Sequence, residues 1–486
     1  MAGIGFALRH LSRQETLSAI VKASGHAAVI AAGPWLFTIF SLATITAFAE
    51  RLAGHEALAT FRATIIYGFA TSLVLTAPIT IVATRQLADH LWKRDVRPIR
   101  GLLPAAMCLA VGVVAVGVLL LNGYFAVPFS LGVALFATTS VVALIWVALA
   151  FCGAVRDYGG ITGSFIVGLI VSIAAATAAA IAGLGATGMV WGFTTGLAIA
   201  FLGLTLRVLA TFPGAPQATL IDNFKELVRG FRTYAYLAVG ALFGTAGVWI
   251  DKWVFWFSRE GESVTGGLVH APLYDSAMFI ASLVLIPALA QFVVKLETEF
   301  FEHYQSYYGT IQSHGTIEQI EASRVRLQGG ALESLSLITV TQLAVAAMLV
   351  LTAPAIVDVL NLQFRQIAIL RYGALGTVFL FIFIAATSMV VFFDRRRLYC
   401  ALQMLFCGLN FALTALTASW GEDYYGVGYF AAAFVSAAVA IVIAERTFEK
   451  LNYLTFIGNN PSIAGAPGGF WLSLGDILKL LRLKSG

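Results

Sequence analysis

The stretch VWIDKWVFWF (residues 248–257) places an acid beside a base within a long apolar segment. A charge in apolar surroundings is costly unless it is paired or hydrated, so a charge inside a membrane segment often serves transport. Successive residues of a helix are about 100° apart. Asp251 and Lys252 are therefore predicted to point in different directions and not to form a salt bridge.

Asp251 is the member of this pair that is predicted to have a function. Helical spacing puts it on one small, polar face with Gly240, Gly244 and Gly247. It precedes Arg259 by about 12 Å of helix, so it is expected in the outer leaflet region. A short carboxylate cannot extend to the membrane surface and needs an interior or aqueous site.

Lys252 and two of its tryptophan neighbours are predicted to be interfacial anchors. The long lysine side chain allows the ammonium group to reach outward, over the ring of Trp256. Trp253 and Trp256 suit the aromatic belt that lies at a membrane surface.

Enzyme signatures are missing from the sequence. It contains no P-loop, no HExxH and no GxSxG motif. Its four cysteines form no CxxC pair, and no Cys/His cluster has the spacing of metal ligands. The sequence therefore predicts a protein that is not an enzyme and that needs neither a metal nor another cofactor.

The composition is that of an integral membrane protein. Hydrophobic residues make up 59% of the chain and charged residues 11%, with a mean hydropathy of +0.87, whereas soluble domains carry roughly 25% charged residues. The net charge of +5 comes without the basic stripe and interleaved aromatics of single-stranded nucleic-acid binding. No nucleic-acid partner is predicted.

The elements that must position these residues are membrane-spanning helices. A helix needs about 20 residues to cross the hydrocarbon layer, and twelve apolar runs satisfy this. The predicted spans are 24–48, 63–83, 102–121, 128–151, 163–182, 188–209, 235–258, 272–294, 331–353, 372–393, 399–418 and 427–445. With an inside N-terminus, 24 of the 30 Lys and Arg residues lie on the inner side. This asymmetry predicts that both termini are cytoplasmic.

The two halves of the sequence resemble each other. AGPW (32–35) in span 1 recurs as AGVW (246–249) in span 7, and SLVLTAP (72–78) in span 2 recurs as SLVLIPA (282–288) in span 8. Six spans in each half predict a parallel repeat about an axis along the membrane normal, as in many secondary transporters. Helix breaks inside these spans are predicted as hinges; the hinge residues are Gly33, Pro34, Pro78 and Pro287.

These patterns predict an all-α polytopic membrane protein with twelve transmembrane helices in two pseudo-symmetric six-helix lobes around a central cavity. The lobes are 24–210 and 235–445, and a cytoplasmic linker, 211–234, joins them. Residues 1–23 are predicted to form an amphipathic helix on the inner membrane surface. A cytoplasmic loop, 295–330, and a cytoplasmic tail, 446–486, complete the organisation.

Several motifs resemble the PelG family of inner-membrane exopolysaccharide transporters. They are MAGIGFALRHLSRQETL at the N-terminus, GPW in span 1, WIDKWVFWF in span 7, and YDSAMFIASLVLIPALAQF leading into KLETEFFEHY. The resemblance runs to about YLTF (453–456), and the tail beyond it is longer than the usual ending of the family.

The resemblance implies a member of the multidrug/oligosaccharidyl-lipid/polysaccharide exporter superfamily, whose cavity is lined chiefly by helices 1, 2, 7 and 8. The implied substrate is Pel, a polymer rich in N-acetylgalactosamine, exported across the bacterial inner membrane. The implied partners are a cytoplasmic glycosyltransferase and other membrane subunits, including a cyclic di-GMP receptor. The side chains expected to line the passage are Asp251, Tyr274, Asp275, Trp35 and Trp249.

Two other functions remain open at the level of sequence. One is a cation-coupled flippase of the same superfamily, acting on small molecules or lipid-linked oligosaccharides, although spans 1–6 contain no carboxylate for ion coupling. The other is a membrane scaffold that anchors the synthase and does not transport, with the 295–330 loop as its docking surface.

Overall fold

The structure is a computed structural model of the chain. It describes residues 33–34, 36–42, 44–46, 48, 54–155, 157–212, 218–264 and 266–458. The predicted amphipathic helix 1–23, most of the tail 446–486 and Trp35 lie outside these ranges.

Helices make up nearly all of the described chain. In the first half they are α1 (Leu36–Thr46), α2 (His55–Trp92), α3 (Ile99–Phe125), α4 (Phe129–Cys152), α5 (Tyr158–Ile181), α6 (Gly185–Thr211) and α7 (Leu220–Thr233). In the second half they are α8 (Ala235–Trp256), α9 (Pro272–Leu283), α10 (Leu285–Lys295), α11 (Phe301–Gln312), α12 (Ile317–Val359), α13 (Gln366–Phe392), α14 (Arg396–Trp420), α15 (Val427–Glu449) and the short α16 (Leu451–Tyr453). A two-stranded antiparallel hairpin, β1 (Glu262–Ser263) and β2 (Val269–His270), follows α8.

Eleven helical segments within the described ranges are long and apolar enough to cross a membrane, if α9 and α10 are counted as one. They correspond to the predicted spans 2 to 12, and the shorter α1 lies within the predicted span 1. The chain is therefore a multi-pass membrane protein. We refer to the end of the helix bundle that holds α7 as the linker end, and to the opposite end, which holds β1 and β2, as the hairpin end.

Equivalent glycines in the two halves make equivalent contacts. Gly33 of AGPW lies against the ring of Phe165 on α5, where an added Cβ would be 3.0 Å from the ring. Gly247 of AGVW lies against the ring of Phe406 on α14, at 2.8 Å by the same measure. Because α5 and α14 are each the fifth span of their half, the sequence repeat corresponds to a structural one.

The predicted breaks differ between the two halves. The helix of span 8 is interrupted at Val284, between α9 and α10, where the missing N–H of Pro287 removes a partner from the carbonyl of Leu283. In span 2, Pro78 lies inside α2, which is continuous over 38 residues. α2 packs along its length against α3, α4 and α8, and this packing holds it as one helix. The structure therefore shows no interruption of the helix at Pro78, and the hinge there stays a prediction.

The 295–330 region is an ordered helical hairpin. α12 has 43 residues, or about 65 Å of helix, about twice the hydrocarbon thickness. Its N-terminal part packs against α11. Arg324 of α12 donates from Nη1 to the carbonyl oxygen of Phe448 at 3.1 Å, and Tyr307 of α11 donates to Oδ1 of Asn452 at 2.8 Å. The hairpin is thereby fixed to the end of α15.

Candidate functional site

The glycine face of α8 is a helix-packing surface. Cβ atoms at Gly240 and Gly244 would lie 2.6 Å from side-chain atoms of Tyr399 and Gln403 on α14. Asn410, also on α14, donates from Nδ2 to the carbonyl oxygen of Gly247 at 2.9 Å. Small residues allow two membrane helices to approach closely. α14 therefore covers the glycine face that Asp251 shares.

Asp251 and Lys252 form a buried ion pair, so the prediction that helix geometry separates them is wrong. Nζ of Lys252 lies 2.9 Å from Oδ2 and 3.1 Å from Oδ1 of Asp251. Helix side chains slant toward the helix N-terminus, and the lysine follows this direction: its Nζ also donates to the carbonyl oxygen of Val248 at 3.1 Å. The long, flexible side chain then brings the ammonium round the helix to the neighbouring carboxylate.

The environment of this pair differs from a membrane interface. The side chain of Asp251 is fully buried, and that of Lys252 is 15% exposed. The ammonium lies 5.8 Å from the ring centre of Tyr429 on α15, rather than over Trp256. The structure therefore corrects the assignment of Lys252 as an interfacial anchor.

Tyr274 completes the coordination of Asp251. Its hydroxyl donates to Oδ2 of Asp251 at 2.9 Å, and its ring stacks on Phe255 with the ring centres 3.8 Å apart. Tyr274 is fully buried. The cluster of Asp251, Lys252, Tyr274 and Tyr429, the ion-pair cluster, thus connects α8, α9 and α15. A buried carboxylate is tolerated here because an ammonium and a hydroxyl satisfy it.

Asp275 lies in a second cluster, where the two lobes meet at the hairpin end. It accepts hydrogen bonds from Nε1 of Trp256 at 2.8 Å and from the backbone N–H of Ala271 at 3.1 Å. The ring of Trp256 stacks on Tyr67 of α2, with centres 4.6 Å apart. The hydroxyl of Tyr67 donates to the carbonyl oxygen of Val269 at 2.7 Å. We call Tyr67, Trp256 and Asp275 the aromatic latch.

Trp256 is therefore a buried packing residue, only 3% exposed, and its prediction as an interfacial anchor is corrected. Trp253 and Trp249 are half-buried, and the indole N–H of Trp249 is buried without a hydrogen-bond partner in the described structure. An unpartnered buried donor is unusual and marks Trp249 as a candidate for binding a polar group.

A second contact between the lobes lies at the linker end and is ionic. Nη2 of Arg85 on α2 is 3.7 Å from Oδ1 of Asp394, which follows α13. Arg85 also pairs with Asp89 at 3.8 Å, and Asp89 accepts a hydrogen bond from the hydroxyl of Tyr234. Arg396 lies over the ring of Tyr234, 4.7 Å from its centre. This ionic latch of Arg85, Asp89, Tyr234, Asp394 and Arg396 connects α2 with the end of the linker and with the turn between α13 and α14.

Burial shifts two ionisable groups near the ionic latch. The pKa of Tyr234 is raised, first by burial and then by the Asp89 carboxylate that accepts its hydrogen bond. Burial also lowers the pKa of the neighbouring Arg395. At the other end of the bundle, burial lowers the pKa of His270 in β2. These three groups lie outside the membrane-spanning helices.

The structure brings together Asp251, Lys252, Tyr274, Trp256 and Asp275, which adjoin one another around the ends of α8 and α9. Gly33 and Pro34 lie on the first span, away from this group. Sequence reasoning missed Tyr67, Arg85 and Asp394. A tyrosine inside span 2 and an arginine at its inner end are visible in the sequence, but nothing there indicates their partners.

The sequence matches one protein family over almost its whole length. The match covers residues 1–456, and the family is described as "PelG: Putative exopolysaccharide Exporter (EPS-E)". Among curated protein sequences, none matched the chain significantly.

Solved structures with the same fold are MATE transporters. A MATE in the bent conformation shares 15% identity with a TM-score of 0.62, covering 92% of this chain and 99% of that one. An outward-facing multidrug-resistance MATE transporter of the MOP superfamily has a TM-score of 0.58 at 15% identity, covering 88% and 96%. An inward-facing transporter of the same family has a TM-score of 0.59 at 13% identity, covering 86% of this chain and 96% of that one. The fold is therefore the twelve-helix, two-lobe architecture of MOP-superfamily transporters.

Proposed function

The chain belongs to the PelG family of exopolysaccharide exporters, and we propose that it moves a nascent, N-acetylgalactosamine-rich polysaccharide of the Pel type across the bacterial inner membrane. The aromatic latch carries this proposal. It lies where the two lobes meet, and its separation would open a way between α2 and α8 that is lined by aromatic rings and a carboxylate. Aromatic faces stack on sugar rings, and carboxylates accept hydrogen bonds from sugar hydroxyls.

The site residues divide into two groups under this proposal. Tyr67, Trp256, Asp275 and Trp249 offer rings and polar atoms to the polymer once the lobes separate. Asp251 and Tyr274 are fully buried in the second lobe. We propose that they hold α8 and α9 in position, and that the polymer does not contact them while Asp251 and Lys252 are paired.

A cytoplasmic glycosyltransferase is the proposed source of the polymer. The hairpin of α11 and α12 projects beyond the membrane-spanning part of α12 at the linker end and presents the surface on which such an enzyme would dock. With both termini cytoplasmic, as the distribution of Lys and Arg favours, the linker end faces the synthase. Other Pel membrane subunits, including a cyclic di-GMP receptor, are proposed to share this surface.

Reconstitution tests export directly. The purified chain is placed in vesicles with its linker end outward, and the glycosyltransferase and its nucleotide-sugar donor are added outside. The expected result is polymer in the lumen, protected from an added glycoside hydrolase until detergent is supplied. Vesicles that hold Trp256→Ala serve as the comparison, since loss of the aromatic latch alters the passage.

A scaffold without transport activity is the second candidate, favoured by the same projecting hairpin. Polymer that stays fully accessible to the hydrolase while synthesis depends on the chain would establish the scaffold and contradict export. A cation-coupled flippase of small molecules or lipid-linked oligosaccharides is less consistent with the ion-pair cluster, because the Lys252 ammonium is already paired with the Asp251 carboxylate.

A further inference from the structure

The linker helix α7 carries four different faces. Successive residues of a helix are 100° apart when viewed down its axis. In this view of α7, an arc of about 100° contains four exposed apolar residues: Leu220, Ile221, Phe224 and Val228. Beside this arc lies a basic flank, made of the exposed residues Lys225, Arg229 and Arg232. Asp222 and Glu226 follow, and the fourth face is buried.

The buried face attaches α7 to the first lobe. Leu227 is fully buried, and Gly230 lies directly against the Gln86 side chain of α2. Nε2 of Gln86 donates to the carbonyl oxygen of Glu226 at 2.9 Å. Asn223 lies against Gly101 at the start of α3. The exposed apolar arc is thus held facing outward by a firm contact on another side of the helix.

Phe224 of this arc closes one end of an apolar groove of about 480 Å³. The groove runs along α2 and α3 and is lined by Leu75, Cys108, Leu109, Gly112, Val113, Val116, Gly117, Leu120 and Phe224. A Cβ added at Gly112 would meet no atom within 4 Å. The groove is therefore open on the surface of the membrane-spanning region and contains no charged side chain.

Positive charge collects at the same end of this groove. The loop between α2 and α3 contributes Lys93 and Arg94, and it begins beside Trp92, whose side chain is 84% exposed. Trp and basic residues are typical of helices and loops at a membrane interface. Basic residues near the surface attract anionic lipid head groups.

We propose that the groove and α7 together bind an anionic phospholipid. One acyl chain lies in the groove along α2 and α3, and the phosphate lies against Lys225 and Arg229 on the basic flank of α7. The apolar arc enters the head-group boundary beside it, as the apolar face of an interfacial helix does. The site goes beyond export itself. Because α7 lies on the chain segment that joins the two lobes, lipid bound there fixes the linker while the lobes move.

Native mass spectrometry of the full chain tests the site. The purified protein is titrated with dioleoyl-phosphatidylglycerol, and the number of lipids retained is measured. Lys225→Gln/Arg229→Gln is expected to weaken retention of one lipid about 30-fold, from the usual contribution of a basic residue at an anionic surface. Gly112→Leu fills the groove and is expected to remove the same lipid without changing a charge.

Matched controls separate this site from general effects. Arg326→Gln/Lys450→Gln removes two exposed charges at the linker end of the second lobe, and Gly408→Leu adds a side chain at another open glycine. Both are expected to retain the lipid as the wild type does. Unchanged retention in Gly112→Leu and in Lys225→Gln/Arg229→Gln would overturn the proposal. So would equal retention of dioleoyl-phosphatidylcholine, or stronger retention of a polyprenyl phosphate.

Discussion

Equivalent positions in the two lobes carry apolar contacts in one lobe and an ion pair in the other. The offset that aligns AGPW with AGVW also aligns Phe37 with Asp251 and Thr38 with Lys252. In the first lobe, Phe37 packs edge-on against Phe193 of α6, with ring centres 5.8 Å apart. In the second lobe, the ion pair lies beside Tyr429 of α15, the sixth span of that lobe.

This difference shows which lobe is held by electrostatics. An apolar contact such as that of Phe37 is non-directional and tolerates small displacements of its helix. When one partner of a buried ion pair is removed, the other charge stays buried without compensation, which is strongly destabilising. The second lobe therefore depends on the fixed geometry of α8, α9 and α15, and the first lobe can shift its first span at lower cost.

Lys252→Met removes the ion pair of the second lobe and is expected to have the largest effect on the free energy of unfolding. It leaves Asp251 buried without its ammonium partner, which costs about 4 kcal/mol of unfolding free energy, within the range for broken buried pairs. The thermal unfolding midpoint of the detergent-purified protein measures it. Asp251→Asn/Lys252→Met removes both charges and should restore most of the loss. A single variant as stable as the wild type would show that the pair contributes nothing.

Phe37→Ala tests the apolar side. Phe37 is 3% exposed, and truncation of a buried aromatic residue costs about 3 kcal/mol through lost contacts and the cavity left behind. The same unfolding assay applies, with Phe48→Ala as the control because Phe48 is 65% exposed. Equal losses of unfolding free energy in Phe37→Ala and in Phe48→Ala would mean that the contact with Phe193 does not stabilise the fold.

Arg85→Gln breaks an exposed ion pair, in contrast to the buried pair of Asp251 and Lys252. It is expected to have the smallest effect on the free energy of unfolding. The side chains of Arg85 and Asp394 are 38% and 44% exposed, so breaking their pair costs about 0–1 kcal/mol. Salt screens such a pair, and the difference from wild type should vanish in concentrated salt. The loss in Lys252→Met should persist there. A salt-independent loss in Arg85→Gln would contradict the assignment of the ionic latch to exposed electrostatics.

The sequence was most informative about elements that composition defines. Among the described residues, apolar runs predicted the eleven helical segments that are long and apolar enough to span a membrane, since the hydrocarbon thickness sets their length. The apolar criterion could not show that α12 begins at Ile317, before the predicted span 331–353, because that first part is polar. The helix of span 8 is interrupted at Val284, near Pro287, whereas α2 is continuous through Pro78. A hinge at either proline stays a prediction.

The sequence singled out most residues of the two clusters at the hairpin end, but it missed Tyr67 and did not predict the contacts; that these residues line a passage stays a prediction. Asp251, Tyr274, Asp275 and Trp256 are all in the clusters that the structure shows. The ion pair was missed because the neighbour rule for helices describes side-chain directions at Cβ, and a lysine is long enough to turn back. The contact of the glycine face with α14 was not predicted, since spacing alone cannot distinguish a face that meets a helix from one that meets water.

The aromatic latch has a consequence for how the membrane stays sealed. A carrier of small molecules can close its gate after each molecule, but a threaded polymer would keep Trp256 away from Tyr67 for as long as synthesis lasts. The polysaccharide itself must then fill the opening and block protons and ions. Under the proposed function, the stacked rings of Tyr67 and Trp256 would close the passage only between polymers. Leakage would then be greatest just after one polymer leaves and before the rings meet again.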